Sequence, residues 1–233
     1  MDTTQEIYLD NSATTRVSKE AAEKALYMMT ECYGNPSSLH SKGFAAEKEM
    51  TAAREIIAER LSAQPGEIYF TSGGTESDNI AILGAAHAKK RAGNKIVTTA
   101  IEHPAVLETM KDLETQGFSV TYLPVDHDGI VELDALRAAM TPETILVSVM
   151  FVNNEIGSVQ PIEEISKIVK MVNPQALLHV DAVQAYGKYR IYPKRMGIDL
   201  LAFSGHKIHG PKGNGVLSLS SAARVPRITS GGG

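Results

Sequence analysis

Seven short runs rich in β-branched and aliphatic residues, spaced by longer stretches of helical periodicity, constrain this chain most. The runs are Glu67–Thr71, Lys95–Thr99, Val120–Leu123, Thr144–Met150, Leu177–Val180, Leu200–Phe203 and Gly215–Leu219. Amphipathic segments lie between most of them: Thr75–Arg91, Ala105–Gln116, Leu133–Met140 and Ile162–Val172. Alternation of this kind predicts an α/β fold, a three-layer sandwich whose mostly parallel seven-stranded sheet is covered on both faces. Between Phe203 and Gly215 there is too little chain for a helical crossover, so that last pair is expected to be antiparallel. Two further helices are expected near Ser18–Cys32 and Lys42–Leu61, before the first strand. Neither an internal repeat nor a low-complexity segment interrupts the pattern.

Composition excludes several function classes. With 233 residues, 43% hydrophobic, 21% charged and a net charge of −4, the chain has ordinary globular composition and no basic stripe for a nucleic acid. Cys32 is the only cysteine, so an internal disulfide is impossible and a reducing compartment, the cytoplasm, is expected. The polar, acidic start from Met1 to Glu6 does not read as a secretory signal. Nor does any apolar run reach the roughly 20 residues of a membrane span. At the other end, Ser230-Gly231-Gly232-Gly233 reads either as a frayed tail or as the interior of a turn that continues.

Ligands of open parallel sheets bind beyond the carboxyl ends of the strands. Five predicted strand ends here carry polar or ionisable groups. They are Ser72-Gly73-Gly74-Thr75-Glu76, Glu102-His103, Asn153-Asn154-Glu155, Asp181, and Ser204-Gly205-His206-Lys207. Each alone has a plainer reading. Ser72–Thr75 suits a helix cap as well as a phosphate cradle. Asp181 suits a cap or an ion pair, His103 a helix start before Pro104, Asn153-Asn154 a turn, and Lys207 a solvated surface. His206 and His209 have a spacing open to zinc, but no cysteine lies near and no His-Glu-x-x-His helix exists, so no metal is expected.

Pyridoxal phosphate accounts for all five ends at once. Its phosphate needs amides and hydroxyls, available at Gly74, Thr75 and Ser204. Its aldehyde needs an amine, Lys207, which forms an exchangeable imine. Its pyridine nitrogen needs a carboxylate, Asp181, to stay protonated, and its face needs a flat group, His103. A nicotinamide or ATP site leaves Asp181 and Lys207 without a purpose.

The same residues bear a family resemblance over the whole length. Tyr8-Leu-Asp-Asn-Ser-Ala-Thr-Thr15, Gly34-Asn-Pro-Ser-Ser38 with His40, Phe70-Thr-Ser-Gly-Gly-Thr-Glu-Ser77, Glu102-His103, Val152-Asn-Asn-Glu-Ile-Gly157, His179-Val-Asp-Ala-Val-Gln184 and Ser204-Gly-His-Lys-Ile-His-Gly-Pro-Lys-Gly213 occur in that order. In this set the chain resembles the cysteine desulfurases, class V aminotransferase members of the fold-type I pyridoxal-phosphate enzymes. The resemblance implies that Lys207 carries the cofactor and shuttles protons, with His103 stacked on the ring as an acid–base group. It implies Asp181 at the ring nitrogen and Gln184 at the ring hydroxyl. Gly74, Thr75, Ser204 and His206 would hold the phosphate, Asn154 would orient cofactor and substrate, and Ala13 and Thr14 would lie near the substrate.

The implied reaction takes sulfur from L-cysteine, leaving L-alanine and an enzyme persulfide for iron–sulfur cluster or thio-cofactor synthesis. A homodimer and a sulfur-acceptor protein are the implied partners. By the same resemblance, residues 1–15 form a segment near the active site and residues 16–233 the cofactor-binding large domain. The nucleophilic cysteine loop, the carboxylate-gripping arginine, the small domain and a threonine that reaches the partner's phosphate would fall beyond Gly233. Cys32 does not match the nucleophile's position and is expected to be a packing residue. Two rival readings remain at this stage: a selenocysteine lyase or other class V enzyme, and a cofactor-binding remnant without turnover.

Overall fold

The computed structural model describes residues 7–226, so the acidic start through Glu6 and the Ser230–Gly233 run lie outside the described residues. In chain order its elements are α1 (Lys19–Thr30), α2 (Ser41–Leu61), β1 (Ile68–Thr71), α3 (Gly74–Lys89), β2 (Lys95–Thr99), α4 (Pro104–Thr115) and β3 (Ser119–Leu123). There follow α5 (Leu133–Ala139), β4 (Thr144–Met150), α6 (Ile162–Val172), β5 (Leu177–Asp181), α7 (Pro193–Met196), β6 (Leu200–Ser204) and β7 (Gly215–Leu219). All seven expected strands form, most within a residue of their predicted bounds. Asp181 and Ser204, expected just beyond strands, instead close β5 and β6. Three single turns escaped the periodicity, which cannot register so short a piece: Pro65–Glu67, Pro193–Met196 and Gly205–Lys207.

The strands form one sheet in the order β1-β7-β6-β5-β4-β2-β3. Every pairing is parallel except those of β7, which runs antiparallel to both β6 and β1. The short return from β6 therefore inserts β7 between the first and sixth strands, as the brief connection required.

Two cores, one on each face, follow from the alternation of side chains along a strand. Ile96, Leu146, Leu177, Leu200 and Leu217 face α3 and α4, where Ala81, Ile82, Ala85, Val106, Met110 and Leu113 complete the cluster. Their immediate neighbours Val97, Val147, Leu178, Leu201 and Val216 face the other way, onto Ile162, Ile165 and Val169 of α6, Leu136 of α5 and Leu61 of α2. Alanine and glycine dominate the inner side of α3, which lets that helix lie close to the sheet. Strands β4, β5 and β6 are buried along their whole length. Such strands read as unbroken apolar runs, so the polar residues inside them stand out.

At the β1 end of the sheet Gly215 pairs with Thr71 on one side and Ser204 on the other. A Cβ at Gly215 would fall 2.5–2.7 Å from the backbone of Gly73, the turn that opens α3. Backbone cannot yield as a side chain can. Gly215→Ala is therefore expected to destabilise the fold by about 1–3 kcal/mol through overpacking and to displace the Gly73–Thr75 turn. Denaturant unfolding, with amide exchange at Gly74 and Thr75, checks both effects.

Candidate active site

A cavity of about 500 Å³ opens at the carboxyl ends of the parallel strands, and all five singled-out strand ends reach it. From the β1 end come Gly74 and Thr75, from β2 His103, from β4 Asn154, from β5 Asp181 and Gln184, and from β6 Ser204, His206 and Lys207. Ala13 lines it as well. Thr14 does not line the cavity; its Oγ1 lies 3.1 Å from Nδ1 of His206.

The N-terminal segment forms one wall. Lys207 Nζ donates to the carbonyls of Ser12 and, at 2.8 Å, of Ala13. Thr15 donates from both N and Oγ1 to the His206 carbonyl, at 2.9 and 2.8 Å, and its Oγ1 accepts from the His209 amide. Gln184 Nε2 reaches the Ser12 carbonyl at 2.9 Å. The Nδ1 atoms of the two histidines weighed as a metal pair go apart, to Thr14 Oγ1 and to the Arg16 carbonyl. Among the described residues the one cluster with metal-ligand spacing is Asp126, His127 and Asp128, exposed on a loop.

Plain structural roles coexist with cavity positions. Nδ1 of His103 accepts the Ala105 amide at 3.1 Å and so caps α4, which leaves Nε2 free for other work. The helix N-terminus at Gly74–Thr75 presents amides suited to an anion. A Cβ at Gly74 would lie 2.6 Å from Cγ2 of Val183, so a larger residue would crowd this corner. Asn153, rather than Asn154, is the residue that builds its loop: it donates to the Ile101 carbonyl and accepts the amides of Glu155 and Ile156.

Burial sets the electrostatics. The Asp181 carboxyl is pushed up to about 7, mainly by burial and then by the charge of Asp78, against the bond from the Val183 amide and the pull of His179 and His103. Burial also lowers the Lys207 amine, helped by Lys188 and opposed by Asp10 and Asp181. A lowered lysine holds more free amine, the form that attacks a carbonyl. Burial, with Lys207 and Lys212, lowers His206 too.

Sequence reading named Glu102 at a strand end and His179 within a motif, but missed Asp78 and Ser148 and the buried layer the four form beneath these groups. Asp78 lines the cavity; Glu102, His179 and Ser148 are as buried as it is. Signals for it were present: an acid on the apolar side of α3, and a histidine amid Leu177, Leu178 and Val180. Glu102 Oε1 accepts from Thr99 Oγ1 and the Met150 amide at 2.5 and 2.9 Å, whereas Oε2 has no partner.

The family model for aminotransferase class-V matches residues 7–233. A cysteine desulfurase IscS of Clostridium botulinum is 49% identical over 229 residues, which cover 98% of this chain and 57% of that protein. One from Methanosarcina thermophila is 51% identical, with 97% and 55% covered. The chain thus spans a little over half the length of the curated relatives it matches. Among solved structures, a NifS-like protein superposes with a TM-score of 0.95 at 43% identity, covering 98% of this chain and 63% of its own. SspA in complex with cysteine gives 0.91 at 38% identity, with 97% and 65% covered.

Glu102 generates a prediction that needs no ligand. Its carboxyl is pushed from 4.5 to about 8 by burial, against its two hydrogen bonds and reinforced by the charges of Asp181 and Asp78. The folded state therefore holds the proton more tightly than the unfolded chain. The stability this confers is complete below about 4.5 and is lost as pH rises through about 8. Asp181 acts in the same direction, while His179, lowered to about 4 by burial, acts oppositely as pH falls. Glu102→Gln keeps the Oε1 acceptor and removes the titration. Its melting temperature is expected to match the parent near pH 4.5 and to exceed it by a margin that grows up to about pH 8, reaching on the order of several degrees, as calorimetry across that range would read.

Proposed function

Because the chain belongs to the aminotransferase class-V family, we propose that it is the cofactor-binding portion of a pyridoxal-phosphate-dependent cysteine desulfurase. One observation carries this reading. An amine of lowered basicity, Lys207, and a buried carboxyl, Asp181, share a cavity with the Gly74–Thr75 helix N-terminus. Pyridoxal phosphate fits this set: an amine for its aldehyde, a carboxylate for its ring nitrogen, and amides for its phosphate.

Gly74, Thr75, Ser204 and His206 are proposed to hold the phosphate, Asp181 the ring nitrogen, Gln184 the ring hydroxyl, and His103 the ring face. When bound, the cofactor supplies an electron sink for charge released at the substrate's α-carbon. Lys207 would hold the cofactor through its amine and, once freed by an incoming amino acid, would take and return a proton at that carbon. Asn154 and Ala13 orient the substrate from the outer rim, and Thr14 supports them from behind through His206. His103 Nε2 is the second acid–base group, its ring fixed by the Nδ1 cap.

L-cysteine is the proposed substrate. Its carbon–sulfur bond breaks, the sulfur joins a protein thiol as a persulfide, and L-alanine leaves. Cys32 is buried in the wall of another cavity, against α1 and α2, and does not line the active one. The accepting thiol is therefore proposed to lie outside these 233 residues, with the small domain. Onward transfer to an acceptor protein, for iron–sulfur clusters or thio-cofactors, and a cytoplasmic setting belong to the same proposal. No described helix is long and apolar enough to cross a membrane.

Borohydride reduction of cofactor-treated protein, followed by peptide mass analysis, is expected to fix a pyridoxyl group on Lys207; modification elsewhere refutes the assignment. In the full-length protein, Lys207→Ala is expected to lower sulfide and alanine release by roughly 100-fold or more, the scale of a lost proton-transfer group.

A homodimer is proposed as well. Helix α1 has no buried residue, and between positions 26 and 44 Leu26, Met29, Tyr33, Leu39 and Phe44 are exposed. Large apolar side chains left exposed together in this way support reading that stretch as an interface. Sedimentation equilibrium of the full-length protein is expected to give twice the chain mass, and a monomer overturns the proposal.

A further inference from the structure

The buried layer under Asp181 has a charge problem that the proposed roles do not resolve. Asp78 enters from the second turn of α3 and lines the cavity floor, with its side chain 2% exposed. Its Oδ1 lies 3.3 Å from Nε2 of His179, whose side chain is fully buried, yet neither atom has a hydrogen-bond partner of good geometry. On the far side of the ring, Nδ1 of His179 lies 2.8 Å from Ser148 Oγ. His179 and Asp181 are two residues apart on β5, so their side chains leave the same face of the sheet. Around them stand three buried carboxyls, Asp78, Glu102 and Asp181, with the imidazoles of His179 and His103 nearby and the Lys207 amine within reach of the Asp181 charge. Among the described residues no lysine or arginine forms an ion pair with any of the three.

Desolvated carboxyls without a cation are costly, and a structure that keeps them does so where a ligand brings the missing charge. We propose that Asp78, held through His179 by Ser148, is a positioning residue for the cationic ring, supplying a second negative charge behind Asp181 so that the ring nitrogen keeps its proton. Ser148 Oγ–H donating to Nδ1 leaves a neutral imidazole with its remaining proton on Nε2, the atom 3.3 Å from Asp78 Oδ1. That proton faces the carboxyl without a formed hydrogen bond, so the ring favours a negative charge on Asp78 by proximity. Burial holds Asp78 well above the usual carboxylate range and His179 near 4. A ring cation beside Asp181 offsets that burial and restores the charge on Asp78. Glu102 and His103 face the same site, and Lys207 faces it from the turn after β6.

The inference rests on the cofactor reading above, and its test separates the two. Cofactor-loaded protein is titrated with base while the visible absorbance of the lysine–cofactor imine is followed. In Asp78→Asn, which keeps the shape and removes the charge, the imine cation loses support. The titration midpoint is expected to fall by about half a pH unit or more, and cofactor release to quicken several-fold. Ser148→Ala is expected to move both in the same direction by less.

Wild-type protein that develops no such absorbance sinks the cofactor reading, and this inference falls with it. Wild type that does so, beside an Asp78→Asn protein of unchanged midpoint and release rate, overturns this inference alone, even if the variant melts earlier. If Asp78→Asn does not fold, Ser148→Ala decides on the same two readouts, and an unchanged midpoint there overturns it.

Discussion

Burial of the sheet on both faces governs where chemistry can occur in this molecule. Strands β4, β5 and β6 present no side chain to water along their length, so a charge carried within them is paired, neutralised or placed at an end. Parallel strands align those ends. The cavity is therefore built by the arrangement that makes the core, with each strand delivering its last residues to one rim. Strand β7 completes it by a different route. Its antiparallel return puts Gly215 beside Ser204 and under Gly73, which brings the amide-rich turn of α3 against the loop that carries Lys207.

The N-terminal segment is the second constraint. Residues 10–15 have no regular structure, yet Thr14 and Thr15 bond to His206 and His209, and Ser12 and Ala13 receive Lys207. Hydrogen bonds from a lysine to backbone carbonyls hold its amine in place without neutralising it, because a carbonyl carries no full charge. The amine is thus positioned while burial and Lys188 still lower its basicity. An ion pair in that place would have raised it. Asp10 and Asp181 act in that direction, but burial remains the largest influence.

Most of the fold was legible because its signal is periodic. Alternation along the strands and 3.6-residue spacing along α6 repeat often enough to locate every strand and every long helix. The brief link between Phe203 and Gly215 even fixed the direction of β7. Single turns such as Pro193–Met196 offered no period to detect. The rim of the site was legible too, since Gly74, His103, Asp181, Ser204 and Lys207 each follow or close a strand. What lay beneath was not. Asp78 falls within a helix and His179 within a strand, where position in the chain suggests core, and only their polarity argues otherwise. Thr14, which neighbours Ala13 in sequence, meets His206 and not the cavity wall.

Rim and floor obey one electrostatic logic. Burial lowers the amine of Lys207 and raises the carboxyls of Asp181, Glu102 and Asp78, so every one of these groups is driven toward its neutral form. A site whose acids and amine are all pushed toward neutrality is not at rest electrostatically, because each group can be recharged by a partner of opposite sign. The amine prefers an electrophile it can bond to, and the acids prefer a buried cation. A single flat ligand bearing an aldehyde at one edge and a basic ring nitrogen at the other meets both demands at once. The Gly74–Thr75 amides add the place for its anionic group. Fitting such a ligand therefore depends less on any one residue of the rim than on the shared desolvation of rim and floor, which the burial of the sheet imposes.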